Sequence, residues 1–356
     1  MDDRASVHAR REPGSDPSRM AFVQKRPLVL RAVPPTRHRI PALTPARPGR
    51  RVQRKATTGR ARVRQLEGRT AIVTGAGSGI GLGLARTFAR HGMAVVLCDI
   101  RGDRLDAALA DVQSLGRGPA IAVITDVSDR ASVRHAAEQA VTAFGTLHVA
   151  CNNAGVTIHG RSIADLSPSE WDWTIGVNLH GVIHGIETFL PLIRSHGQEG
   201  HIVNTASIAG FNVRGERRSG AYAATKFAVV ALTESLAYDL ADTPIGASVL
   251  APAAVRTHIY VSGENRPDRF GGPYEEPGNN PFQKELETGL EPDRVGERVV
   301  EAIRRRELYV FTHMETRDWL LARHRRIIDA FDACERWNAT LAGSVPPQGS
   351  AGSQPA

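Results

Sequence analysis

Seven short apolar runs, at 71–74, 94–98, 120–124, 148–151, 201–204, 247–251 and 308–311, punctuate the chain, with room for a helix between most of them. That alternation restricts the possible folds more than any other feature. Leu105, Leu109 and Val112 recur at helical spacing, as do Val133, Ala137, Val141 and Phe144, and again Val295, Val299 and Ile303. Strands joined through helices run parallel, and the helices must cover both faces of the sheet. The expected architecture is α/β, a doubly wound seven-stranded parallel sheet forming a single domain over 68–313. A helical extension is expected at 314–342, and no internal repeat is apparent.

Charge divides the chain unevenly. Residues 1–67 hold 17 Lys/Arg against 5 Asp/Glu, so the formal net charge of +8 resides there and the remainder is mildly acidic. The prolines at 13, 17, 27, 34, 35, 41, 45 and 48 interrupt any helix, and the segment reads as disordered. A basic arm for nucleic acid, a transit peptide and translation from an over-extended start codon are its competing explanations. The Gly/Ser/Pro-rich residues 343–356 read as a disordered tail. Nothing in the body suggests phosphate-backbone binding, so nucleic acid is not an expected partner. No run of 18 apolar residues exists, and no membrane partner is expected. Cys98, Cys151 and Cys334 form no CxxC pair, which excludes a zinc ribbon or a stapled secreted fold. No metal is expected from the pattern of histidines and carboxylates.

The first strand runs into Thr74-Gly75-Ala76-Gly77-Ser78-Gly79-Ile80-Gly81 and then a helix. Glycines there let a pyrophosphate approach the backbone, and the helix N-terminus offers unpaired N–H groups. Gly75, Ser78, Gly79, Ile80 and Gly81 are therefore candidate phosphate contacts. Asp99 ends the second strand, 18 residues beyond Gly81, where a carboxylate can accept both hydroxyls of an adenosine ribose. Against a 2′-phosphate it would cost about 4 kcal/mol at 4 Å and an effective dielectric of 20. NAD is thus expected in preference to NADP, with Arg101 as the cation that could turn toward a phosphate.

Tyr222 and Lys226 stand at i and i+4 on one helix face. A free phenol is a poor base at neutral pH, and a neighbouring ammonium is expected to make it more acidic. Ser207 lies just past the fifth strand, where open α/β sheets bind ligands, and is placed to hydrogen-bond an alcohol or carbonyl oxygen.

Together these motifs resemble the short-chain dehydrogenase/reductases, over about 68–313. The matching residues are TGAGSGIG, Asp99, Asp126-Val127, Asn152-Asn153-Ala154-Gly155, Asn178 in VNLHG, Ser207, and Tyr222 with Lys226. The resemblance implies a Rossmann-like fold, with Asp126 and Val127 at the adenine and Asn153, Ala154 and Gly155 supporting the nucleotide. It implies that Asn178 holds a water relaying protons from Lys226; the alternative is a helix-kink residue satisfying backbone groups. Pro252, Val255 and Thr257 would flank the nicotinamide, although Ala253 replaces the usual glycine, which carries strain if the position needs φ > 0. The implied activity is interconversion of a secondary alcohol and a ketone. Tyr222 serves as acid/base, Ser207 fixes the oxygen, and Lys226 binds the nicotinamide ribose. The resemblance also implies a cytoplasmic homodimer or homotetramer.

Residues 257–292 read as a loop-like substrate lid carrying Tyr260, Phe270, Tyr274 and Phe282. These rings point either to an apolar or aromatic small-molecule substrate or to anchorage of the loop on its own domain. His159 and Phe211 are further pocket candidates. The stretches HIYVSGENRPDRF and LYVFTHMETRDWLLARHRRIIDAF resemble bacterial dehydrogenases of aryl-ether α-carbon alcohols. Two alternatives stand beside the NAD-linked enzyme. One is an NADP-linked carbonyl or 3-oxoacyl reductase; the other is a non-catalytic NAD-binding regulatory module with a nucleic-acid arm.

Overall fold

Seven parallel strands lie in the order β3-β2-β1-β4-β5-β6-β7 in a computed structural model that describes residues 65–275 and 281–343. The chain order is β1 (Thr70–Thr74), α1 (Gly79–Arg90), β2 (Ala94–Asp99), α2 (Gly102–Ser114), β3 (Ala120–Ile124), α3 (Arg130–Phe144) and β4 (Val149–Asn152). Then come α4 (Pro168–Ile175), α5 (Gly181–Ser195), β5 (Gly200–Thr205), α6 (Gly220–Asp239) and β6 (Ile245–Ala251). The order ends with α7 (Pro281–Glu287), α8 (Pro292–Arg305), β7 (Tyr309–Phe311) and α9 (Arg317–Gly343). Every expected strand is present within two residues of its apolar run. The expectations for 1–64 and 344–356 lie outside the described residues.

The strands are apolar throughout because both faces are covered. Val73, Val95 and Leu97 pack with Leu84, Phe88, Leu105, Val299 and Ile303 on one face. Ile72 and Val96 point to the other face, with Phe189, Ile193, Ile202 and Leu236. Neighbouring residues thus serve opposite cores, as the two-residue period of a strand requires. The connection leaves β1 toward β2 on one side, while β4 pairs on the other side. This makes the carboxyl ends of β1 and β4 the switch point, where such sheets bind ligands.

The lid expectation needs correction in its form. Residues 257–275 are not open loop but short 3₁₀ turns, Ile259–Asn265 and Asp268–Phe270, and α7 follows. They are pinned to the body by side chains. Ser262 Oγ exchanges hydrogen bonds with the Thr157 backbone at 3.0 and 3.1 Å, and Arg266 donates to Ser169 Oγ at 2.8 Å. Among the described residues no helix is long and apolar enough to cross a membrane.

Candidate active site

The glycine turn after β1 is built by close packing. Gly75 has φ +66°, and a Cβ there would sit 2.8 Å from the Ala154 Cα. A Cβ on Gly81 would be driven into the Gly75 carbonyl. Thr74 Oγ1 accepts the Asn153 and Ala154 N–H groups at 2.9 and 3.1 Å, and Asn153 Nδ2 donates to the Thr74 carbonyl at 3.0 Å. Asn153 therefore joins the ends of β1 and β4 and supports the turn from beneath.

Ser78, the N-cap of α1, makes no side-chain capping bond, and the first turn holds no acidic residue. The N-terminal N–H groups of α1 thus keep their affinity for an anion. Asp99 Oδ2 accepts from Gly77 N at 2.9 Å and Oδ1 from Arg101 N at 3.0 Å, which holds the carboxylate at the cleft wall. Glycine turn, uncapped helix and carboxylate fit a nicotinamide dinucleotide. All the expected cofactor residues line this one cleft except Val255. Val255 is buried and lines the adjoining cavity instead, because the 254–256 segment zips onto Leu290. Asp126 lines the cleft with its carboxylate engaged by Ser128 and, at 2.5 Å, by Arg269.

Arg101 does not turn to the cleft. Its guanidinium donates to both Asp103 oxygens at 2.8 and 2.7 Å and to Asn265 Oδ1 at 3.3 Å. The cation that does line the cleft beside Asp99 is Arg104, held by Glu264 at 3.1 Å. The sequence reading passed over Arg104, although its place in the first turn of the helix after Asp99 was a usable signal.

At the carboxyl end of β5, Ser207 accepts the Ala209 N–H at 3.1 Å, donates to the Pro252 carbonyl at 3.4 Å and lines the same cavity as Tyr222. Lys226 is buried, donates to the Thr205 carbonyl at 2.8 Å, and lies 5.4 Å from the Tyr222 ring centroid. The expected acidification of the phenol is not what this geometry produces. Burial raises the Tyr222 pKa, with Ser207 opposing it, while burial lowers Lys226 from 10.5 to about 7. The ammonium is committed to a carbonyl and lies by the ring, so desolvation prevails over charge attraction.

Asn178 occupies a π-helical turn, Gly176–His180, between α4 and α5. Its Oδ1 accepts Val156 N at 2.8 Å, and its Nδ2 donates to the Val156 carbonyl at 2.9 Å and to Thr225 Oγ1 at 3.2 Å. These bonds satisfy backbone groups at the kink. Asn178 ties the strand that leaves β4 to the helix bearing Tyr222. Ala253 carries no strain: among described non-glycine residues only Arg218 and Arg306 have positive φ.

Beyond Tyr222 opens a cavity of about 690 Å³, within the range of small-molecule sites. Ser207, Tyr222, His159, Ile163, Val213, Phe282, Leu286 and Trp319 line it. Phe211 does not; its ring packs at a tilt against Phe311, 5.1 Å away. Of the four lid rings only Phe282 borders the cavity. Tyr274 and Phe270 pack around Trp173 and anchor the segment instead. Trp319, from α9, and the run Arg214–Arg218 escaped the sequence reading, though three arginines within five residues just ahead of Tyr222 were visible.

This geometry coincides with what comparison finds. The family model described as short chain dehydrogenase matches residues 69–267, and the chain belongs to that family. It is a dehydrogenase/reductase of the kind that uses a nicotinamide cofactor. It is 32% identical over 272 residues to a C alpha-dehydrogenase of Sphingobium sp., covering 75% of this chain and 88% of that one. A short-chain dehydrogenase/reductase from Burkholderia phymatum, solved in complex with NAD, superimposes with TM-score 0.70 at 36% identity, over 74% of this chain and 95% of that one. A short chain dehydrogenase from Burkholderia cenocepacia, in complex with NADP, gives TM-score 0.58 at 27% identity, over 69% and 96%.

Proposed function

We propose that the protein interconverts a secondary alcohol and its ketone with NAD, using Tyr222 as the proton-exchanging group. One observation carries this reading: Tyr222 borders both the dinucleotide cleft and the larger cavity, with Ser207 at its phenol. NAD held along Gly75–Gly81 and Asp99 would supply hydride acceptance in oxidation and hydride donation in reduction. Tyr222 Oη takes the hydroxyl proton in oxidation and gives it back to the carbonyl oxygen in reduction. Ser207 Oγ holds that oxygen beside the phenol, which keeps the reacting atoms in register. Lys226 fixes the carboxyl end of β5 against α6 through its bond to the Thr205 carbonyl. Because burial raises the phenol pKa, Tyr222 is protonated at neutral pH, ready for reduction, and oxidation accelerates as pH rises.

NAD is preferred over NADP because the Asp99 carboxylate is anchored at the cleft wall and Arg101 is taken up by Asp103. The substrate is apolar or aromatic, in keeping with the lining of the cavity and with the similarity to the C alpha-dehydrogenase. The test is NAD⁺ reduction over a panel of aryl, steroid and acyl secondary alcohols, repeated with NADP⁺. Turnover of at least one aryl member is expected, with kcat/KM at least about tenfold higher for NAD⁺, and Asp99→Ala should remove most of that preference. No turnover on any panel member sinks the reading; a preference for NADP⁺ sinks its cofactor choice.

A further inference from the structure

The cavity beyond Tyr222 is apolar over much of its wall, yet four arginines line it: Arg161, Arg214, Arg217 and Arg218. Three of them have carboxylate partners. Arg161 pairs with Glu170, Arg217 pairs with Glu285, and Arg214 donates to Glu216 at 2.7 Å. Arg214 also lies 4.8 Å over the Trp319 ring, and Arg217 lies 4.7 Å over Phe282. Arg218 has no ion pair and no side-chain hydrogen bond with any described residue. Two lining carboxylates, Glu216 and Glu285, engage Arg214 and Arg217, and Glu170 outside the lining engages Arg161, which leaves Arg218 as the one lining arginine without a carboxylate.

Arg218 is exposed and stands at a tight backbone corner. Arg218 adopts φ 44° and ψ 48°, the left-handed region that a residue with a β-carbon disfavours. Two hydrogen bonds hold it there: Arg218 N donates to the Gly215 carbonyl at 3.2 Å, and Arg161 N donates to the Arg218 carbonyl at 3.2 Å. Glycine would fit this corner without penalty, and an arginine stands in it. Four residues later, on the first turn of α6, comes Tyr222.

We propose that the substrate of this site is an apolar secondary alcohol, or its ketone, bearing a single carboxylate, and that Arg218 receives that carboxylate. The proposal rests on the alcohol–ketone reading above and narrows its substrate class. A monoanion matches the one lining arginine without a carboxylate, whereas a phosphate dianion would require a second uncommitted cation. A guanidinium offers two parallel N–H donors to a carboxylate, and Phe282, Leu286 and Trp319 give the apolar body a wall in the same cavity.

The test compares para-acetylbenzoate with its methyl ester, which differ by the charge. Reduction with NADH gives kcat/KM for each, and titration calorimetry on the full chain with NAD⁺ present gives their affinities without turnover. The acid should exceed the ester by about tenfold in both measurements, the kinetic difference residing in KM. In Arg218→Gln and in Arg218→Gly, which relieves the left-handed corner, the acid-to-ester ratio should fall to within about threefold of one. Equal or reversed preference in the unsubstituted protein overturns the proposal. So does a variant that weakens acid and ester alike, since that is the mark of a merely structural corner. Arg218-dependent binding of the acid with no reduction of either ketone would leave the anion site standing and remove the proposed reaction. Equal reduction of both would do the reverse.

Discussion

Both ends of the sheet bury side chains that carry a proton, and the two ends use burial differently. At the amino ends, His201 is fully buried with Nε2 2.7 Å from Ser248 Oγ, and His148 accepts the Thr70 N–H at 3.2 Å while its ring lies 4.7 Å from that of His196. Burial, with nearby Arg306, lowers the His201 pKa to about 3; burial, with His196 and Arg69, lowers that of His148 to about 4. At the carboxyl ends, burial lowers Lys226 only to about 7 and raises Tyr222. The histidines are closed in by strands and remain neutral through the physiological range. Lys226 and Tyr222 border a cleft, and Lys226 titrates within that range. The same desolvation makes one end inert and the other responsive.

Three experiments sharpen or break that contrast. The largest effect belongs to Tyr222→Phe. It should cut turnover about 10³-fold while leaving NAD binding and thermal stability near those of the parent, as expected for a group that moves a proton. Near-normal turnover would place the chemistry elsewhere.

Next comes acid sensitivity at the opposite end. A histidine depressed in the folded state takes up its proton more readily when unfolded, so stability is intact above pH 6.5 and declines as pH falls toward the folded pKa. His201 alone accounts for about 2–3 kcal/mol between pH 6.5 and 4.5. Denaturant titrations across that window should show the loss, and His201→Leu should flatten the slope even if it lowers stability at neutral pH. An unchanged slope would show that His201 does not govern it.

The smallest shift concerns Lys226→Met. The charged lysine is penalised in the fold, fully below pH 7 and progressively less as pH rises toward 10.5. The variant should therefore gain about 1–2 kcal/mol over the parent at pH 6, after losing the bond to Thr205, and lose the advantage by pH 10. Activity should drop across the whole range. A constant stability difference from pH 6 to 10 would mean the lysine keeps its ordinary pKa.

Much of the fold and the outline of the site were legible in the residues. Every strand showed as an apolar run because a sheet covered on both faces tolerates little else. The turn at Gly75–Gly81 was readable because a Cβ at Gly75 or Gly81 would strike neighbouring backbone, which leaves few alternatives to glycine. The cavity was far less legible. Phe211 and Tyr274 looked like pocket residues, but aromatic rings serve packing as readily as recognition, and both pack. Arg214, Arg217 and Arg218 went unread, because only the folded chain brings Gly160 and Arg161 against Arg217 and Arg218.

Local chemistry and short-range pattern thus determined the strands, the glycine turn and the candidacy of Ser207, Tyr222 and Lys226, since each reads from neighbours a few residues away. Spacing placed the phenol and the ammonium on one helix face. Only the folded chain decided that the ammonium would reach the Thr205 carbonyl and that burial would set both pKa values. Trp319 reaches the cavity from nearly a hundred residues beyond Tyr222. Desolvation and long-range packing are properties of the whole arrangement of neighbours, and no window of sequence contains them.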